Sequence, residues 1–164
     1  MNQLPVVFLT MALILLLSAC GGNSAPTANS ADTPPKSMLE DPTSYDPKRG
    51  EGKFTAEMLN LSNVIDATMA ASGETIQGVK CAACHKLTEE RLVGPGWKGV
   101  TTRRNPEWIM NFITNPDPMI EKDPEVRAQL ELCLVRMPNQ NLVDTEAREV
   151  LEFMRKNDGI NAKN

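Results

Sequence analysis

Apolar positions fall along this chain in three regimes, and each predicts a different kind of segment. From Val6 to Leu17 they form a run of about 12 residues broken only by Thr10. Residues 21–50 hold only Met38, Leu39 and Tyr45 as larger apolar groups. Beyond residue 52 the apolar residues recur at helical spacing. A first helix is predicted near 63–80, with Ile65, Met69, Gly73 and Ile76 on one face. A second opens at Asn105-Pro106-Glu107, read as a cap, a proline at N1 and an acid in the first turn, presents Trp108, Ile109, Phe112 and Ile113, and stops at Asn115-Pro116. A third opens in the same way at Asp123-Pro124-Glu125 and carries Val126, Leu130, Cys133 and Leu134. A fourth opens at Asp144-Thr145-Glu146, places Ala147, Val150, Leu151 and Met154 at i, i+3, i+4 and i+7, and ends by Gly159. No period-2 run of useful length occurs, so the expected class is all-α, with about four short helices.

The first run is too short for the roughly 20 residues that span a bilayer and suits the core of a signal peptide. Leu17-Ser18-Ala19-Cys20 follows it and resembles the lipobox of bacterial lipoproteins, in which the cysteine becomes the lipidated first residue. No Lys or Arg precedes the run, a departure from the usual pattern. Residues 21–50 contain five of the 12 prolines and cannot bury enough surface to offset their ordering entropy. The expected organisation is a signal peptide over 1–19, a lipid-anchored linker over 20–51, a domain over 52–160 and a tail over 161–164. A flexible tether of that length spans about 30 Å on average and reaches about 100 Å when stretched.

At 164 residues one domain is the default. The net charge of −4 gives no electrostatic ground for nucleic-acid binding. Seven aromatic residues and four short helices make a thin core, of the kind often helped by a staple or cofactor. The single histidine excludes any site within one chain that needs two.

That histidine ends the string Cys81-Ala-Ala-Cys84-His85. Cys-x-x-Cys-His is the attachment signal for c-type haem. Two thiols three residues apart on one turn can each add to a haem vinyl group, and the next residue brings its imidazole under the iron. A zinc site from Cys81, Cys84, His85 and Cys133 is the competing reading, but adjacent Cys and His suit one tetrahedral centre poorly. A redox-active dithiol would want a thioredoxin-like βαβ context, which the pattern lacks. A plain Cys81–Cys84 disulfide would leave His85 unexplained.

With these residues in view, the 52–160 segment resembles class I, single-haem cytochrome c. The likeness rests on Gly73, Cys81–His85, Val93-Gly-Pro-Gly-Trp-Lys-Gly-Val100, Asn105-Pro-Glu-Trp-Ile109, Arg136-Met-Pro138 and the last helix with Phe153. It implies a cytochrome c fold around one covalent haem, with Gly73 and Phe153 at the crossing of the first and last helices. Gln77 stands where the family usually has an aromatic. The resemblance makes His85 the proximal ligand, its imidazole bonded to the carbonyl of Pro95, a bond that fixes the tautomer and raises ligand basicity. Met137, between a helix and a proline, resembles the distal ligand. Met119 is the alternative, and an open iron the third outcome. Trp97, Trp108, Arg103 and Arg104 are candidates for the haem edge or its propionates, against core packing and solvated charge as the plain readings. Cys133 reads as a buried inert thiol, and Glu121–Glu125 as an exposed helix start.

The expected function is single-electron transfer in a periplasmic or cell-surface respiratory chain. The expected partners are a quinol-oxidising donor and a terminal acceptor. The stretch from Trp97 onward is similar to small cytochromes associated with nitrous oxide reductases and with haem-copper oxidases. An open distal site for peroxide or gas chemistry, or a structural zinc lipoprotein, are the competing functions.

Overall fold

The computed structural model describes residues 45–161. Cys20, the expected signal peptide and residues 20–44 of the expected linker therefore lie outside the described residues. Seven helices occur among these residues: α1 (Ala56–Leu59), α2 (Ala67–Lys80), α3 (Val100–Arg103), α4 (Pro106–Thr114), α5 (Pro116–Lys122), α6 (Pro124–Cys133) and α7 (Asp144–Asn157). No strand is present there, only an isolated antiparallel bridge between His85 and Arg91.

The long helices start and stop for local reasons. Asp66 caps α2 by accepting from the Met69 N–H at 2.9 Å. Asp123 caps α6, its Oδ1 accepting from the N–H groups of Glu125 and Val126. Glu146 reaches back to the Val143 N–H at 3.1 Å to close the first turn of α7. At α4, however, the Asn105 side chain makes no cap bond; its Nδ2 donates to Glu107 at 3.1 Å, and Pro106 at N1 alone sets the start.

α2 and α7 cross in the most extensive helix contact of the fold. Gly73 makes the crossing possible, since a Cβ there would lie 2.0 Å from the Glu149 carbonyl oxygen. The nearest atoms to that point are backbone atoms of α7, while Phe153 packs its ring against Trp97, with centroids 6.5 Å apart. The buried face of α2 is Ala70, Gly73 and Gln77, and Ile65 is buried ahead of the helix rather than on it. Gln77 is thus an interior residue at the position where the family usually has an aromatic.

Two segments differ from the sequence reading. Asn115-Pro116 ends α4 but does not begin a loop, because Pro116 opens α5 at once. Met119 is therefore a helical residue, fully buried beneath Gly50 and Trp108. The packed chain also begins before residue 52. Tyr45 donates to Asp123, and Asn111 on α4 accepts from the Phe54 N–H and donates to the carbonyls of Arg49 and Phe54. Residues 45–54 form a strap across α4 and α5.

A buried ion network fastens the 59–66 segment to α7. Glu152, 1% exposed, accepts from Arg148 and Arg155, while these arginines also donate to the carbonyls of Leu59 and Ser62. Paired and hydrogen-bonded in this way, the charges avoid the cost of lone burial.

Candidate haem site

The end of α2 and the loop after it build one wall of a cavity. Cys81 caps α2, and the chain turns so that the N–H groups of Cys84 and His85 both donate to the Cys81 carbonyl at 3.0 Å. The loop then doubles back: Val93 and Gly94 donate to the Cys84 carbonyl, and Trp97 to that of Lys86. This return places the Pro95 carbonyl 2.8 Å from His85 Nδ1. With Nδ1 donating to that carbonyl, Nε2 is the ring nitrogen left to act as a ligand. Gly94 lies so close to the imidazole that a Cβ would sit 2.4 Å from His85 Cε1.

The cavity has a volume of about 250 Å³. Cys81, Cys84 and His85 line it, as do Pro95, Trp97, Trp108, Ile109, Phe112 and Ile120, and from the far segment Leu130, Met137 and Leu142. Its wall is mainly apolar, with Arg103, Arg104 and Gln129 among the polar groups that reach it. Two thiols, one imidazole and one loop thioether thus line one apolar cavity, a donor set that fits a covalently attached haem. Burial pushes the Cys81 thiol up to about 11, and Cys81, Cys84 and Cys133 are unbridged.

Met137 lines the cavity, whereas Met119 does not. Met154, buried on α7, also touches it, as a core residue of the crossing helices. The Met137 segment is held by Arg136, which bonds Asp117 at 2.9 Å and reaches Glu121 at 3.5 Å, both on α5. Cys133 is half-buried and lines the cavity, so it is not the sealed core thiol expected from its helical position. Among the described residues no three or more His, Cys, Asp or Glu side chains are gathered to hold a metal ion, so Cys133 does not complete a zinc set with Cys81, Cys84 and His85.

The tryptophans and arginines have definite tasks. Trp97 lies 5.9 Å from the His85 ring and links it to Phe153. Trp108 stacks on Phe112 at 5.1 Å, with the Arg104 guanidinium 4.3 Å from its ring. Arg104 pairs with Glu125 at 2.6 Å, and Arg103 donates to the Lys98 carbonyl. The indole N–H of Trp108 points to Asp123 Oδ2 at 3.0 Å.

Asp123 is the residue the sequence did not expose. It was expected in an exposed helix start and is 1% exposed. Burial alone would raise its carboxyl, but the bonds from Tyr45, Trp108 and the Val126 and Glu125 amides outweigh that, and it is held below the ordinary value of 3.8. Tyr45 moves the other way, its phenol raised by burial and by the bond to Asp123. The only sequence signal was the Asp-Pro-Glu cap itself.

An all-helical domain folded around one apolar cleft, with a Cys-x-x-Cys-His turn on its wall, defines the class of protein, and comparison with known proteins supplies the family. The family model described as "Cytochrome c" matches residues 70–158. A solved structure of cytochrome c from Rhodothermus marinus is 34% identical, with a TM-score of 0.61, over 72% of this chain and 97% of that one. An engineered cytochrome c from the same organism is 33% identical, also with a TM-score of 0.61, over 72% and 98% of the two chains. The same engineered form in a structure bound to a carbene intermediate is 34% identical with a TM-score of 0.59, over 72% and 98%. No curated protein matched. The chain belongs to the cytochrome c family. It is accordingly a protein of covalently bound haem c, with haem-based electron transfer and redox protein partners as its general role.

Proposed function

We propose that this chain is a lipid-anchored, single-haem electron carrier whose iron is held between His85 and Met137. The observation that carries the reading is convergence: Cys81, Cys84, His85 and Met137 line the same cavity, and the His85–Pro95 bond leaves Nε2 as the ligating nitrogen. Bound haem c supplies a one-electron couple at its iron. The Cys81 and Cys84 sulfurs hold the group by thioether bonds. His85 and Met137 would ligate the iron in both oxidation states, and a thioether ligand would favour the ferrous state relative to a second nitrogen. Trp97, Ile109 and Ile120 give the cavity apolar walls.

We place the chain on the cell membrane or outer membrane through Cys20, facing the periplasm or the exterior. The 17-Leu-Ser-Ala-Cys-20 string and the proline-rich stretch after it support this. Its donor on this reading is a quinol-oxidising complex. Its acceptor is a terminal reductase or oxidase, of the nitrous oxide reductase or haem-copper type. Tethering raises the local concentration of such partners. Redox encounters of this kind use small interfaces, below about 1,200 Å².

The test is the absorption spectrum of the full chain made in cells that attach c-type haem, beside Met137→Ala. The parent is expected to show a sharp ferrous α-band and a weak ferric red band from sulfur-to-iron charge transfer. Met137→Ala is expected to lose the red band and to bind carbon monoxide. A parent that is already high-spin and binds carbon monoxide would overturn the closed site and favour peroxide or gas chemistry.

A further inference from the structure

The two oxygens of Asp123 are divided between two tasks. Oδ1 accepts from the Glu125 and Val126 amides, at 2.8 and 3.1 Å, and so caps α6. Capping needs nothing more. Oδ2 accepts instead from the Trp108 indole at 3.0 Å and from the Tyr45 hydroxyl at 2.5 Å. Trp108 lines the cofactor cavity, and Asp123 stands behind it, outside the lining. The nearby guanidinium of Arg104 is matched by Glu125.

We propose that Asp123 is a positioning residue for the haem cavity: its buried carboxylate fixes Trp108 as a wall and sets a negative charge behind that wall which favours ferric over ferrous iron, while Tyr45 softens that charge. The sign follows from charge alone. Ferric iron carries one positive charge more than ferrous iron, so a nearby anion stabilises it more. The hydroxyl of Tyr45 draws density from Oδ2 and weakens the effect. At an effective dielectric of about 20, one unit charge about 12–25 Å from the centre that exchanges the electron shifts the equilibrium by roughly three- to tenfold. Tyr45 also belongs to the strap that continues toward the N-terminal segment, so the wall of the cavity is tied to the part of the chain we read as the tether.

The experiment measures the reduction equilibrium of the haem-loaded full chain against a redox dye at neutral pH, for the parent, Asp123→Asn and Tyr45→Phe. Thermal midpoints are taken on the same samples. Asp123→Asn is expected to move the equilibrium several-fold toward ferrous. Tyr45→Phe keeps the carboxylate and the helix cap, and is expected to move it less and in the opposite direction, toward ferric. A fall in both thermal midpoints with no movement of either equilibrium would make Asp123 a cap and overturn the proposal. So would movement of both variants in one direction. Should Asp123→Asn fail to fold, Tyr45→Phe decides alone: a shift toward ferric supports the proposal, and no shift overturns it.

Discussion

Two of the segments that line the cavity are built by different means. The Cys81–Trp97 wall is a backbone structure. Its turns are closed by main-chain bonds from Cys84, His85, Val93, Gly94 and Trp97, and its key side chain is oriented by a carbonyl ten residues away. The Leu134–Leu142 wall is a side-chain structure. Arg136 reaches two carboxylates on α5, Gln140 and Asn139 make short local bonds, and Leu134 and Asn141 adopt left-handed backbone without being glycine. Closely spaced backbone bonds hold geometry tightly, whereas exposed ion pairs hold it loosely. The first wall is therefore expected to hold its shape more tightly than the second.

The largest effect comes from removing the covalent hold. Cys81→Ala with Cys84→Ala is expected to abolish attachment, so that acid-acetone extraction strips the haem completely from the polypeptide. Covalent haem surviving in that variant would break the assignment of this wall.

Gly94→Ala is next. Its new methyl would meet His85 Cε1 at 2.4 Å, and overpacking of this kind costs about 1–3 kcal/mol. Chemical denaturation is expected to show that loss together with a disturbed His85 environment in the absorption spectrum. No change in either would mean that the proximal loop is softer than its bonding implies.

Across the cavity, Leu134→Gly should act with the opposite sign. Leu134 has φ 57° and is 84% exposed, so its side chain contributes little packing while its backbone is strained. Relief of that strain, net of glycine's entropy, is expected to add about 0.5–1 kcal/mol in the same denaturation measurement.

Arg136→Ala has the smallest effect on stability, about 0.2–1 kcal/mol, since its ion pairs are solvent-exposed. Its signature should be kinetic: imidazole is expected to displace Met137 several-fold faster than in the parent. Equal displacement rates would show that the distal wall does not depend on this arginine.

How much of this was legible depended on the range of the interactions. Cys81, Cys84 and His85 were readable because their chemistry is local: thiols one turn apart and an adjacent imidazole. Three helix starts were readable because Pro106, Asp123 and Glu146 act within one turn of their own helices, while α2 was readable only from its apolar face, and its cap Asp66 was not picked out. α5 was missed because Asn115-Pro116 stops one helix and starts another with the same residues. The strap over 45–54 was missed because its bonds run to Asn111 and Asp123, far along the chain, and its composition is that of a linker.

The sequence by itself therefore determined the helical class, the attachment motif and the one histidine that could serve it, since each rests on bonds or spacings of a few residues. Only the tertiary structure decided which methionine reaches the cavity. Met119 and Met137 are chemically alike, and packing sends one beneath Gly50 and the other into the cleft. It also decided that Asp123, which in sequence is a helix cap, is a buried charge behind Trp108. A carboxylate becomes an interior group only when donors distant in sequence, here Tyr45 and Trp108, come together to receive it.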